Sequence, residues 1–204
     1  VEINVIEHQK DVAKSVLKKL QTLDLYAVLA GGACRDWMLD KEATDLDFYL
    51  YYNPKYPASS LKEVLVSLFG DIDVTEVERK PNDWYDNLEE DDRKRFDNKI
   101  LSNHGFRYTS DKSISNVFEF TIDGVKCQAI FKNDLVYAEN LISSFCFNIC
   151  QAYSLNIDEI KTTPKFDKAV KHKAIEITGE FYSQKDAYIK KIKNKFPDYL
   201  HIGF

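Results

Sequence analysis

Two aspartates separated by one residue, Asp45 and Asp47, head an aromatic and apolar run, Asp-Leu-Asp-Phe-Tyr-Leu. Such a run favours an extended backbone. Side chains alternate across a strand, so both carboxylates point to one face, about 7 Å apart at a rise of roughly 3.4 Å per residue. Carboxylates at that spacing suit a hard cation, and Mg²⁺ prefers one or two of them together with phosphate oxygens of a substrate. Upstream lies Gly31-Gly32, where the missing Cβ lets backbone approach a ligand closely. The helix expected after it offers unpaired N–H groups and a positive dipole end to an anion. Metal-binding carboxylates beside a phosphate cradle point to phosphoryl or nucleotidyl transfer. Asp-x-Asp alone is a weak signal, and the chain holds a second, Asp71-Ile-Asp73, which reads as a charged strand start. The bland alternative for the first pair is two solvated aspartates after an ordinary glycine turn.

The combination is more specific than its parts. Gly-Gly-Ala-Cys-Arg-Asp-Trp-Met-Leu-Asp-Lys-Glu-Ala-Thr-Asp-Leu-Asp, residues 31–47, resembles the signature of the nucleotidyltransferase superfamily that includes DNA polymerase beta. It is most similar to the branch of CCA-adding enzymes and bacterial poly(A) polymerases. The resemblance implies an α/β (α+β) fold: a mixed twisted sheet with helices mainly on one face and a small helical C-terminus. It implies transfer of a nucleoside monophosphate from a nucleoside triphosphate to a hydroxyl, an RNA or tRNA 3′ end being favoured, with release of pyrophosphate. Asp45 and Asp47 are then the metal ligands for Mg²⁺ or Mn²⁺. Gly31 and Gly32 present N–H groups to the β- and γ-phosphates. Arg35 makes a bidentate phosphate contact or pairs with Asp36 or Asp40, and Asp36 braces the turn or caps a helix.

Other elements must hold this stretch in place. Leu25–Ala30 reads as the first strand, Ala33–Leu39 as two helical turns, and Asp45–Leu50 as the second strand. Glu7–Leu20 spaces Val12, Val16, Leu17 and Leu20 as an amphipathic helix. Ser59 or Ser60 is placed to cap a helix through Leu68 that Gly70 stops. Ile72–Val77 alternates like a half-exposed strand. Pro81–His104, with seven acids against three bases up to Asp97, is a solvated insertion or a lid with an aromatic for a base. Phe106–Thr109, Asn116–Ile122 and Val125–Phe131 read as strands. Asp123-Gly124 marks a two-residue hairpin that pairs Ile122 with Val125 and, counting back, Glu119 with Gln128. The resemblance places a third metal-binding carboxylate in this region, where Gln128 stands instead. Glu119 opposite it either supplies that charge or makes an ordinary cross-strand pair.

Asn140–Ala152 reads as an apolar helix capped by Asn140. It resembles the Arg-Arg-Asp-Phe-x-x-Asn-Ala motif of CCA-adding enzymes in Phe147-Asn148-Ile149, with Ser143, Ser144 and Cys146 in place of the two arginines and the aspartate. Tyr153–Ile160 and Ile175–Ile177 read as short and irregular. Lys185–Lys195 reads as a helix with Ala187, Tyr188, Ile192 and Phe196 inward and Lys185, Lys190, Lys191, Lys193 and Lys195 outward. Those lysines contact acceptor phosphates or form a solvated face.

Composition sets the frame. With 204 residues, 44% hydrophobic and 30% charged, the chain can build one domain plus a small appendage. The expected division is a catalytic unit over 1–155 and a helical appendage over 156–204. A net charge of −5 and a pI near 5.5 argue against a broad basic surface, so a DNA duplex is not an expected partner. No apolar run is long enough to span a membrane. Cys34, Cys127, Cys146 and Cys150 show no paired spacing and read as reduced thiols of a cytoplasmic protein. The departures at Gln128, Ser143, Ser144 and Cys146 leave two further classes open. One is a catalytically impaired nucleotide-binding or regulatory module. The other is a toxin–antitoxin or phage accessory protein that retains only the fold.

Overall fold

Asn4 accepts hydrogen bonds from the backbone N–H groups of Ile6 and Glu7 at 3.1 and 3.3 Å and so starts α1 (Val5–Leu20). The computed structural model describes residues 4–51, 55–57, 60–77, 113–181 and 185–204. The expected Pro81–His104 insertion and Phe106–Thr109 strand lie outside the described residues. The apolar stripe of α1, Val12, Val16, Leu17 and Leu20, is buried as its spacing requires. The strand–turn–helix–strand expected next is β1 (Val28–Ala30), α2 (Gly32–Met38) and β2 (Leu46–Tyr51). Ser60 stands at the N-cap of α3 (Leu61–Phe69) without capping it; its hydroxyl donates to the Pro57 carbonyl instead. The expected strand over 72–77 is only β3 (Thr75–Glu76).

The hairpin forms in the expected register. β4 (Ile114–Ile122) and β5 (Val125–Lys132) pair Ile122 with Val125 and Glu119 with Gln128. Asp123 and Gly124 both have positive φ, 48° and 80°, the backbone of a two-residue turn whose twist matches the strands.

The segment after the hairpin differs from its sequence pattern. In place of one helix over 140–152, α4 (Ala138–Ser143) ends early, a 3₁₀ turn covers Asn148–Cys150, and β6 (Ala152–Ser154) follows. Two competing interactions explain the break. Asn148 Oδ1 accepts from the N–H groups of Ile149 and Glu176 at 2.8 and 3.0 Å, an alternative to helical bonding. The free edge of β1 takes β6 as its ladder partner, Leu29 opposite Ser154 and Ala30 opposite Tyr153. Tyr153, expected in an irregular stretch, is therefore a sheet residue.

Residues 156–204 hold β7 (Lys161–Thr162), α5 (Pro164–His172), β8 (Ala174–Glu176), α6 (Lys185–Lys195) and β9 (Leu200–Ile202). The main sheet runs β3-β4-β5-β2-β1-β6-β7, and β8 and β9 form a separate parallel pair. Among the described residues, β2 and β5 are the one parallel pair in the main sheet, so it is mixed. Leu29, Leu46, Phe48, Phe118 and Ala129 face a large core shared with α1, α2, α3, α5 and α6. The opposite face carries a smaller cluster of Val28, Ala30, Tyr49 and Ile130 under α4. Helices thus lie mainly on one face.

Candidate active site

Gly31 sits at the hinge between β1 and α2 with φ 88° and ψ −125°, a conformation natural only to glycine. A Cβ there would also meet the Phe145 ring at 3.3 Å. The two glycines have separate roles. The Gly31 N–H donates to Ala152 O at 2.8 Å and fixes the turn to β6. Gly32 opens α2, among the first-turn N–H groups that a helix leaves unused. A Cβ on Gly32 would find ordinary contact, 3.6 Å from Arg35 Nη2.

Asp45 and Asp47 line one cavity with Gly31, Gly32 and Arg35, a space of ≈ 210 Å³. Asp47 stands on β2, whose neighbours Leu46 and Phe48 point into the large core, so its carboxylate takes the other face. The loop that delivers Asp45 is stapled by Gln9, a residue that belongs to no recognisable motif. The buried Gln9 side chain accepts from Trp37 Nε1 at 3.1 Å and Ala43 N at 2.9 Å, and donates to Ala43 O at 2.8 Å. One polar side chain from α1 thereby ties α2 to the approach of β2.

The third-ligand candidates fall in the same cross-strand row. Asp47 pairs with Gln128 on β5, and Gln128 with Glu119 on β4. Glu119 is two strands from Asp47, about 10 Å at the backbone from two spacings of roughly 4.8 Å. It reaches that row through Gln128, whose Nε2 donates to Glu119 Oε1 at 2.6 Å. Gln128 Oε1 is buried and makes no hydrogen bond among the described residues. Neither Glu119 nor Gln128 is among the described residues that line the cavity. No group of three or more His, Cys, Asp or Glu suited to a metal ion occurs among the described residues.

Arg35 is buried, not a surface cation. Its Nε donates to Asp36 Oδ1 at 2.7 Å, and its Nη1 to Cys150 Sγ at 3.2 Å. Burial works against the guanidinium charge, but Cys150 and Asp36 more than offset it and the Arg35 pKa is raised. Asp36, expected to brace the turn or cap a helix, instead places its carboxylate between two cations, Arg35 and Lys195. Lys195 of α6 does not face outward: its Nζ donates to Asp36 Oδ2. Two nearby thiols, Cys127 and Cys146, are held in the protonated form. Burial, and secondly Asp47, pushes Cys127 up to about 12; burial, and secondly Cys150, pushes Cys146 up to about 11.

The outer wall comes from residues far along the chain. Thr178 and Gly179 donate from backbone N–H to Cys146 O at 2.8 and 3.4 Å, and Thr178 Oγ1 donates to Phe145 O at 3.0 Å. A Cβ on Gly179 would collide with the carbonyl oxygens of Ser144 and Phe145, so only glycine permits this approach. The contact carries Phe181 to the cavity, where Phe145 and Tyr188 also lie. Phe145 rests on Tyr49 with ring centroids 5.9 Å apart. These aromatic walls and Gly179 were not identified from sequence, because no local pattern marks them.

No family model matches the chain, and no curated protein does either. Solved structures do. A tRNA-processing enzyme in an apo form aligns with all of this chain and 46% of its own, at 15% identity and a TM-score of 0.57. A CCA-adding enzyme in complex with ATP aligns with 93% of this chain and 38% of its own, at 13% identity and a TM-score of 0.53. A further tRNA-processing enzyme complex covers 87% of this chain and 40% of its own, at 14% identity and a TM-score of 0.50. At such identities the likeness is one of fold. The chain has the nucleotidyltransferase fold that CCA-adding enzymes carry, and it spans less than half the length of each of these three.

Proposed function

We propose that this protein is a metal-dependent nucleotidyltransferase that moves a nucleoside monophosphate from a nucleoside triphosphate to a hydroxyl, an RNA 3′ end being the favoured acceptor. The observation that carries the proposal is the meeting of Asp45, Asp47 and Gly32 at one cavity on this fold. The structural neighbours, a tRNA-processing enzyme and a CCA-adding enzyme in complex with ATP, support the substrate class.

The residues fit a hard divalent cation. Asp45, from the loop before β2, and Asp47, on β2, give two carboxylates to one cavity, and the buried Gln128 Oε1 is a neutral oxygen one strand from Asp47. Two carboxylates and substrate oxygens are what Mg²⁺ commonly takes, and Mn²⁺ accepts the same donors. Bound there, the metal supplies charge neutralisation on the triphosphate and a lowered pKa for the acceptor hydroxyl. The rest is done by the chain. Gly32 offers backbone N–H to phosphate where Gly31 is occupied by β6. Arg35 contributes a fixed positive charge, held by Asp36, beside the phosphate end. Phe145, Phe181 and Tyr188 exclude water and offer ring faces to a base.

The experiment is transfer of label from each nucleoside triphosphate, with Mg²⁺ or Mn²⁺, into a small-RNA pool, into protein and into pyrophosphate. Label entering RNA is expected. Asp45→Ala with Asp47→Ala should abolish transfer while the melting temperature stays near that of the parent. A double variant with full activity puts the site elsewhere. A second reading, an impaired nucleotide-binding module, is favoured by the neutral Gln128 at the centre of the row. It predicts triphosphate binding with no pyrophosphate released.

A further inference from the structure

We propose that α6 grips the nucleotide: Lys191 binds its phosphates, and Tyr188, one turn earlier on the same face, contacts its base together with Phe181. This rests on the nucleotidyl-transfer reading of the cavity and goes beyond it by assigning the phosphates to Lys191 on α6, outside the 28–50 motif.

The argument begins with spacing. Tyr188, Lys191, Ile192 and Lys195 all line the cavity. They stand at i, i+3, i+4 and i+7, one face of a helix, so a whole face of α6 forms its wall. The face is polar in one direction. Its N-terminal part carries Tyr188, whose ring lies 6.4 Å from Phe181. Its C-terminal part carries Lys191 and Lys195, about 4.5 and 10 Å further along the axis at 1.5 Å per residue.

Lys195 sets the helix in place. Its bond to Asp36 joins the last turn of α6 to α2, within a few residues of Gly32. Ile192 and Phe196, buried in the large core, hold the same end from below. The anchoring group is also a charge group. Arg35 and Lys195 against Asp36 leave a net positive charge of one beside the cavity, and Lys191 adds another nearby. Two lysines of α6 lie over rings, Lys185 over Phe181 and Lys193 over Phe204, at 5.8 and 5.5 Å. Lys191 lines the cavity and is exposed, a position that suits phosphate oxygens.

The test compares binding of the mono- and triphosphate of the same nucleoside by calorimetry, with α,β-methylene analogues so that no transfer occurs. All four bases are tried, and the tightest is used. Lys191→Ala should narrow the preference for triphosphate over monophosphate about tenfold, the worth of one charge-assisted contact. Tyr188→Ala should weaken both ligands by the same factor. Because Lys191 is exposed, its variant should melt with the parent. If the parent binds triphosphate and Lys191→Ala keeps the same preference, α6 does not grip the phosphates and the inference is overturned alone. If the parent binds no triphosphate of any base, the transfer reading falls with it.

Discussion

Asp36→Asn is the substitution with the largest expected cost per atom changed. The Asp36 carboxylate is 2% exposed and holds Arg35, 6% exposed, on one oxygen and Lys195, 21% exposed, on the other. The amide keeps the size and one acceptor but removes the negative charge. Two cations are then left facing each other around a neutral group in a poorly solvated site. Breaking a buried pair by removing one partner costs about 3–5 kcal/mol, and the retained shape puts the expectation at about 3 kcal/mol. For a chain of this size each kcal/mol shifts the melting point by about 2–4 °C, hence a drop of about 6–12 °C. Lys195→Met leaves Asp36 still paired with Arg35 and should cost only about 1 kcal/mol, its side chain being the most solvated of the three. The sign of the coupling is the sharper test. In the Asp36→Asn background, Lys195→Met removes one of two repelling cations and should restore stability. Urea unfolding of the four proteins measures this cycle. If Asp36→Asn costs under about 1 kcal/mol, or if Lys195→Met is as harmful beside it as in the parent, the trio is not a buried charge cluster and the reasoning fails.

Two further perturbations test local claims. Gly31→Ala should cost about 1–3 kcal/mol from backbone strain alone, with Phe145 displaced as well, whereas Gly32→Ala should leave the melting temperature nearly unchanged; equal losses in thermal unfolding would refute the separate roles of the two glycines. Tyr153 donates to Glu139 Oε1 at 2.7 Å, and burial, followed by that bond, pushes its phenol up to about 12, while the same bond lowers the Glu139 pKa. A phenol pKa raised on folding contributes stability that is fully present below its ordinary value of 10 and lost as pH rises towards 12. A lowered carboxylate pKa contributes above its ordinary value of 4.5 and loses that contribution as pH falls through the folded value. The stability difference between the parent and Tyr153→Phe, on the order of 1 kcal/mol, should therefore hold from pH 6 to 9 and shrink at both ends. A difference that grows above pH 10 would contradict the assignment.

How much of this was legible in the sequence depends on where each signal is stored. The β1–α2–β2 unit declares itself through local events: an apolar run, a glycine that must have positive φ, and alternation on β2. The β4–β5 register was equally readable, since Asp123-Gly124 fixes the turn and counting fixes every pair, down to Glu119 opposite Gln128. The 140–152 segment misled because its apolar content matches a buried strand or turn as well as a helix. What decides between them is the open edge of β1 and the N–H of Glu176, neither of which is nearby in sequence.

The same division runs through the site. Its acidic half, Asp45 and Asp47 with the glycine turn, lies within 17 consecutive residues, and their types and spacing alone suggest a metal and a phosphate. Its cationic and aromatic half is assembled over long range: Lys195 meets Asp36 across 159 residues, and Arg35 meets Cys150 across 115. Helical periodicity marked Lys195 as solvent-facing because it weighs a lysine by its own helix, whereas the deciding partner is a buried carboxylate on another. A lysine's long apolar stem allows either outcome. The residues that could not be read are thus those whose environment, not whose type, determines their role. For that reason, α6 is where variants separate a working nucleotide site from a retained fold: the motif residues can all be present in either case, but only a site that binds triphosphate needs Lys191 where it stands.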